Sequence, residues 1–293
     1  MTATTQTSRP ASPTASGLAD ARLTTVGIVR SEWVKLVTLR STWWCLGIIL
    51  VLTAGIPLLV AFALGDVQAP TGVDAGDYGY YNWLNATVLP VGFSVLAAAV
   101  LGCLVITGEY GTGMIRSTMT AAPKRLSALL AKAVVIGAVV FVTGLVALGL
   151  GAILSGVVLA GNGYTIDPAD PRVWGTLLAA AGYPALVAMF SVGVGTIIRN
   201  SAGAIAAVLG LLLVVPTIFG LIGGLLKAEW AFNVGAFLPS SLGSTMYTPV
   251  IAGAEGFTQG TVSLEPWQAA LALLAWVVAA LVGGAVLIKR RDV

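Results

Sequence analysis

The sequence predicts an all-α polytopic membrane protein, and three observations support this fold class. Of the 293 residues, 57% are hydrophobic and 9% are charged, whereas a soluble globular domain has about 25% charged residues. The mean hydropathy is +0.95. Apolar runs long enough to cross a bilayer, which takes about 20 residues each, occur six times. The expected spans are Thr42–Leu64, Val88–Thr107, Leu126–Ala160, Val173–Ile198, Ala202–Leu226 and Trp267–Ile288.

The chain before the first span divides into two parts. Residues 1–21 are rich in Thr, Ser, Ala and Pro and contain no apolar run, which predicts a disordered cytoplasmic tail and not a signal peptide. In residues 22–41, apolar side chains recur at helical spacing, with Arg30, Glu32 and Lys35 between them. This pattern predicts an amphipathic helix in the membrane interface. Its apolar residues are Val26, Val29, Trp33, Leu36 and Val37. Residues 42–293 then form the six-span transmembrane domain.

The distribution of basic residues predicts the orientation of the spans. With the N-terminus inside, only Arg172 and Lys227 of the 15 Lys and Arg residues fall outside. Lys and Arg concentrate on the cytoplasmic side of membrane proteins. We therefore expect both termini to be cytoplasmic, in a multi-pass protein of a bacterial-type cell membrane. The same bias explains the net charge of +3, so no nucleic-acid partner is expected.

The connections on the other side differ in composition. Gly65–Thr87 and Gly161–Arg172 are polar and are expected to be loops. Lys227–Pro266 contains Trp230–Leu238, a run too apolar for a free loop and too short to span. This composition predicts a re-entrant or interfacial hairpin before the last span. Inside the spans, pairs of small residues four positions apart favour close helix packing. They are Gly151/Ser155, Gly203/Ala207, Gly220/Gly224 and Ala280/Gly284.

Several kinds of chemistry are excluded by the residues present. The chain has no histidine, which removes HExxH zinc proteases, Ser–His hydrolases and His-ligated haem. Cys45 and Cys103 lie in or beside apolar runs, so we expect buried thiols and no disulfide. No lysine follows a glycine, so the phosphate-binding loop GxxxxGK[ST] is absent. The interiors of the expected spans are interpreted as free of Asp, Glu, Lys and Arg, which disfavours proton coupling.

A polar, basic segment, Gly108–Lys132, separates the second and third spans. Thr112 is predicted to cap a short helix that Pro123 ends. From the residues alone two interpretations stay open: a helix parallel to the membrane that receives force, or an ordinary cytoplasmic loop. Glu109 stands where the second span meets this segment. It is either a solvated helix-end charge or a functional group paired with Arg116, Lys132 or Arg199.

A family resemblance favours the first interpretation. The string Glu-Tyr-x-x-Gly-x-x-Arg (109–116), followed by Pro-x-Arg (123–125) and by Lys132, resembles ATP-binding-cassette (ABC) transporter permeases of the type-2 export class. Ser-Glu-x-x-Lys (31–35) in the N-terminal helix is also similar to that class. The resemblance covers nearly the whole chain after residue 22.

This resemblance implies a permease half that works with a separate ATPase. The segment between spans two and three would be a coupling helix that docks on a nucleotide-binding subunit. Two permease halves, identical or paralogous, would assemble with two P-loop ATPase subunits in membrane lipid. The partner would bind ATP and Mg, and this chain would bind no cofactor. The implied coupling residues are Glu109, Tyr110, Thr112, Gly113, Met114, Arg116, Met119, Pro123 and Arg125, and those of the interfacial helix are Arg30, Glu32, Trp33 and Lys35.

The expected activity is transport, not catalysis. The apolar spans favour outward movement of a hydrophobic or amphipathic substrate, such as a lipid, a drug or a peptide. An ion-coupled secondary transporter without an ATPase partner is the alternative, since sodium sites can be built from backbone carbonyls. An intramembrane enzyme is disfavoured because histidine is absent and no buried carboxylate is expected.

Overall fold

The computed structural model describes residues 24–64, 75–114, 125–162, 170–248 and 262–290. The described residues are helical, with no strand among them. The helices are α1 (Thr25–Thr38), α2 (Arg40–Leu64), α3 (Ala75–Val88), α4 (Val91–Gly111), α5 (Arg125–Gly161), α6 (Pro171–Ile198), α7 (Ser201–Leu209), α8 (Val215–Leu226), α9 (Glu229–Ala236), α10 (Pro239–Tyr247) and α11 (Pro266–Arg290). The predicted tail, residues 1–21, lies outside the described residues.

Six helical stretches are long and apolar enough to cross a membrane, which confirms the predicted all-α polytopic fold. They are Arg40–Ala63, Gly79–Gly111, Leu126–Gly161, Pro171–Ile198, Ser201–Leu226 and Pro266–Arg290. The third is longer than a bilayer requires. The 37 residues of α5 extend about 55 Å at 1.5 Å per residue.

The second crossing begins earlier than the sequence predicts. The expected outer loop Gly65–Thr87 contains α3, which a short turn at Leu89–Pro90 separates from α4. The polar composition of this stretch predicts a loop. The stretch is nevertheless helical, and tertiary contacts stabilise it as α3. The Trp83 indole is buried, and its Nε1 donates to the Ala152 carbonyl of α5 at 3.0 Å. The loop prediction is therefore wrong for residues 75–87.

The centre of the bundle is the pair α4 and α6, which pack with their backbones close together. A Cβ on Gly102 would overlap the Ala188 carbonyl oxygen, and one on Gly195 would overlap the Ile106 side chain. Only glycine permits this approach. The most apolar windows of spans two and four are each 67% buried, against 11% for span five.

Span five is a continuous helical stretch with three segments, and the short helices α9 and α10 follow it. A π-helical turn, Gly210–Val214, joins α7 to α8. The apolar run that predicted a hairpin forms α9 and the turn into α10. Trp276 Nε1 of α11 donates to the Phe237 carbonyl between them at 3.0 Å, and Gly243 of α10 lies against the Tyr183 ring. Residues 249–261 of this connection lie outside the described part.

Candidate functional site

Two lysines and two glutamates meet inside the protein at one end of the bundle. We call this the basic end; there α4, α6 and α11 finish and α2, α5 and α7 begin. Glu32 and Lys35 come from α1, Glu109 from the last turn of α4 and Lys132 from the first part of α5. These four residues, the charge cluster, join α1 to the more distant helices α4 and α5.

The lysines and glutamates alternate in a closed ring. Lys132 Nζ donates to Glu32 Oε2 at 2.5 Å and to Glu109 Oε1 at 2.8 Å. Lys35 Nζ donates to Glu32 Oε1 at 2.7 Å and to Glu109 Oε1 at 3.0 Å. Each ammonium contacts both carboxylates, so the formal charges cancel.

Because these side chains are buried, breaking their contacts would cost much free energy. The side chains of Glu32, Glu109 and Lys132 are only 3–4% exposed, and that of Lys35 is 25% exposed. A buried ion is stable only when it is paired, and removing one partner of a buried pair costs about 3–5 kcal/mol. Moving α1, α4 or α5 away from the other two would leave unpaired charge in the interior. The cluster therefore ties the three helices to one another at this end.

Lys35 remains charged at neutral pH. Burial is the largest single effect and lowers the pKa of its ammonium, but the hydrogen bonds to Glu32 and Glu109 and the charges of both carboxylates together outweigh it, and the net shift is upward. A lysine pKa that is raised on folding stabilises the fold fully at pH values below the ordinary lysine pKa. That contribution is lost only as the pH rises through the folded pKa. The Lys35 ammonium thus keeps its charge through changes around neutral pH.

The same turn of α4 contacts the other side of the bundle. Ser201 Oγ, at the start of α7, donates to Thr107 Oγ1 at 2.8 Å. The guanidinium of Arg199 lies over the Tyr110 ring, 5.3 Å from its centroid, and its Nη2 reaches the Leu287 carbonyl of α11 at 3.5 Å. Arg199 ends α6 with a left-handed φ of 60°. One turn of α4 thus connects α1 and α5 on one side with α6, α7 and, through Arg199, α11 on the other.

The chain leaves α4 directly after these contacts. The Thr112 hydroxyl donates back to the Gly108 carbonyl at 2.9 Å, and Gly113 has a φ of 73°. Thr112 therefore caps the end of α4. The short helix that Thr112 is predicted to start would lie almost wholly in residues 115–124, outside the described part, so that cap stays a prediction. Met114 follows and is 41% exposed.

Part of the predicted coupling set lies outside the described residues. Arg116, Met119 and Pro123 fall within residues 115–124, which the structure does not describe. Arg125 is the first residue of α5. The other predicted coupling residues lie together at the basic end of α4, where only Gly111 interrupts their run. They are Glu109, Tyr110, Thr112, Gly113 and Met114.

The N-terminal helix confirms the helical pattern but corrects the environment of Glu32. Arg30 is exposed, as expected for a residue of the polar side. Glu32 and Leu36, one turn apart, are buried against the bundle, while Val26 and Trp33 are exposed on the outward face. Periodicity within one helix gave no sign of a buried lysine partner 100 residues away.

Lys132 requires a second correction. The sequence interpretation assigned this lysine to the cytoplasmic segment and left the span interiors without charge. The expected span Leu126–Ala160 already included its position, and the structure shows that the side chain, early in α5, is buried and not solvated. Its pairing with Glu109 agrees with one of the three partners predicted for that carboxylate. Burial of a lysine is tolerated here because two carboxylates neutralise it.

Comparison with known proteins places this chain in a family. No curated protein matches it. A family model described as ABC-2 family transporter protein matches residues 26–293, which includes nearly all of α1 and all six membrane-spanning stretches. The chain therefore belongs to the ABC-2 transporter family and is an ABC permease, the membrane-embedded part of a transporter.

Proposed function

We propose that this chain is the permease half of an ABC exporter, driven by ATP hydrolysis in a separate P-loop ATPase subunit. The observation that carries the proposal is the last turn of α4. Through Thr107, Glu109 and Tyr110, that turn contacts four other helices or their ends. It lies immediately before the segment 112–125, where we place the ATPase contact.

The charge cluster gives this turn a means of transmitting force. A displacement of α4 by the ATPase would separate Glu109 from Lys35 and Lys132 unless α1 and α5 moved too. Because buried charges resist losing their partners, the three helices would move together. The contacts of Thr107 with Ser201 and of Tyr110 with Arg199 would carry the movement to α6 and α7.

The charge distribution supports a proposed arrangement in the membrane. We place the basic end in the cytoplasm of a bacterial-type cell, with both termini on that side. The exposed apolar side chains of α1, including Val26 and Trp33, would lie in the membrane interface. The working unit would hold two permease halves, identical or paralogous, and two ATPase subunits that bind ATP and Mg.

The proposed substrate is hydrophobic or amphipathic, such as a lipid, a drug or a peptide, and it moves outward. The support is the low polarity of the spans, which offer few hydrogen-bonding groups for a polar solute. A transport or resistance assay in a strain that lacks the chain would identify the substrate.

An ion-coupled secondary transporter is the second candidate, and one observation favours it. Lys132, Glu109 and Glu32 are buried ionisable groups in or beside spans, and such groups often mark ion pathways. The ring is closed and lies at the end of the bundle, whereas coupling-ion sites lie near mid-membrane. The ABC exporter is therefore the better-supported candidate.

Purification of the intact chain from its own cells in mild detergent separates the two candidates. We expect an ATPase with a P-loop to co-purify. In the same complex, Glu109→Ala should lower ATP-driven transport while the subunits remain assembled. Glu229→Ala, at an exposed carboxylate at the start of α9, is the matched control and should transport normally. Transport by an ATPase-free chain, or unchanged transport by a folded Glu109→Ala variant, would contradict the proposal.

A further inference from the structure

Span five changes its packing in the middle. In its first half, which starts at the basic end, Ala204 and Val208 of α7 and Leu212 of the π-helical turn are buried, each at 3% exposure or less. This half packs against α4 and α6. The hydroxyl bond from Ser201 to Thr107 fixes its beginning to α4.

The second half of the span has a different partner. Gly223 is the one buried residue of α8, and it lies under the ring of Phe232 from α9. Phe219 and Trp230 add an edge-to-face contact, with ring centroids 6.2 Å apart. Among the described helices, α9 is the main neighbour of α8. These two helices thus form a pair that stands apart from the central α4–α6 packing.

The change of partner coincides with a change of helix geometry. The π-helical turn Gly210–Val214 lies between the two halves, and Pro216 follows in the first turn of α8. Helices bend at π-turns and at prolines, since both interrupt the regular i to i−4 hydrogen bonds. Gly210 adds conformational freedom, and a Cβ at its position would meet no atom within 4 Å.

There is also empty space beside this turn. An apolar groove with a volume of about 450 Å³, open to the outside of the bundle, lies between α6 and span five. Phe190 and Val194 line it on one side, and Gly210, Leu211 and Val215 line it on the other. Close packing restricts the movement of a helix, and this side of span five lacks such packing around the π-helical turn.

We propose that Gly210–Pro216 is a hinge about which α8 and α9 swing as one body, opening and closing the end of the pathway opposite the basic end. The open groove beside the turn provides the room for this movement. The hinge rests on the proposed function for its driving force: α7 is bonded to the turn of α4 that we assign to the ATPase contact. The flexibility itself does not depend on that assignment.

Distances between pairs of spin labels, measured by pulsed electron paramagnetic resonance, test the hinge. The intact chain would be reconstituted in lipid vesicles after Cys45 and Cys103 are replaced by alanine. One pair, on exposed Leu178 of α6 and Leu225 of α8, reports the outer half. The other pair, on exposed Leu130 of α5 and Ala202 of α7, reports the inner half. We expect the outer distance distribution to be about twofold broader than the inner one.

A stiffened variant and a matched control complete the test. Gly210→Ala combined with Pro216→Ala restores regular helix formers at the hinge and should narrow the outer distribution to the width of the inner one. Gly220→Ala makes the same glycine-to-alanine change within α8, also with no atom near the new Cβ, and should leave both distributions unchanged. Equal widths for the two pairs in the unmodified chain would overturn the hinge. So would an outer distribution that stays broad in the stiffened variant.

The hinge and the proposed function can fail separately. The label distances are measured on the chain alone and need no ATPase. Adding the co-purified ATPase with ATP should then shift the outer distance and not the inner one. A broad outer distribution with no ATPase partner would retain the hinge and reject the exporter. ATP-driven transport together with a narrow outer distance distribution would retain the exporter and reject the hinge.

Discussion

The two ends of this bundle are held together by different interactions. At the basic end, one turn of α4 is tied by a buried ring of four charges, a hydroxyl pair and a cation–π contact. At the opposite end, α8 is held mainly by aromatic contacts with α9, and Gly223 is its only buried residue. Buried, hydrogen-bonded charge pairs are costly to break, whereas apolar contacts are non-directional and tolerate sliding. This difference fits a protein in which force is applied at the basic end and helices move at the opposite end.

The largest effect is expected from Lys132→Met. This change removes the central ammonium and leaves two buried carboxylates to share Lys35. The loss of one partner from a buried ion pair costs about 3–5 kcal/mol. We expect a large drop in the thermal unfolding temperature of the purified chain in detergent. A drop no greater than that of an exposed substitution such as Arg30→Met would show that the ring does not hold this end together.

A paired substitution separates charge from packing. Lys132→Met with Glu109→Leu removes one charge of each sign and leaves Glu32 paired with Lys35 on α1. Replacing a whole buried ion pair by apolar side chains is often neutral. The double variant should therefore regain most of the lost stability but not transport, because the ring no longer bonds α1 to α4 and α5. If the double variant regained both stability and transport, the ring would have only a structural role.

The close packing of α4 on α6 gives the next largest effect. Alanine at Gly102 would drive a Cβ into a backbone carbonyl oxygen of α6, so the two helices must separate. Overpacking of this kind costs about 1–3 kcal/mol. Gly108→Ala, further along the same helix, meets no atom within 4 Å and should be close to neutral. Similar unfolding temperatures for the two variants would contradict this account of the α4–α6 contact.

Ser201→Ala should have the smallest effect on stability, about 0.5–1.5 kcal/mol, the net value of one hydrogen bond. Thr107 keeps its own bond to the Cys103 carbonyl, so no buried donor loses its partner. Transport should fall more than stability, because the bond links α4 to span five. Ser244→Ala, which removes a bond within α10, is the control. Equal transport by the two variants would exclude this bond from the transmission path.

The sequence predicted the helices well and their polar partners only in part. Six apolar runs and the amphipathic pattern before them were sufficient for the fold, since hydrophobic length and period are local properties. Of the small-residue pairs, Gly151 and Gly284 lie at close helix contacts, whereas a Cβ added at Gly220 or Gly224 would meet no atom within 4 Å. Spacing alone cannot tell these cases apart.

The charge cluster shows where sequence reasoning fails. The sequence indicates Glu109 as a candidate, with Lys132 among its possible partners. Its bond to Lys35 spans 74 residues, and the bond of Lys132 to Glu32 spans 100. The hydrophobic periodicity of a helix does not predict ion pairs between residues so far apart in sequence. A signal was nevertheless present: Glu32 and Lys35 both belong to the string that resembled the permease family, and neither position is needed for an amphipathic helix.

The most direct test of the central claim is site-specific photocrosslinking at Met114, the exposed residue that follows the last turn of α4. A photoreactive amino acid at this position, in membranes of cells that make the whole transporter, should form an adduct that mass spectrometry identifies as a P-loop ATPase. The same amino acid at exposed Trp174, near the start of α6 at the opposite end, should form none. An ATPase adduct at Trp174, or its absence at Met114, would contradict the assignment of the basic end to the ATPase.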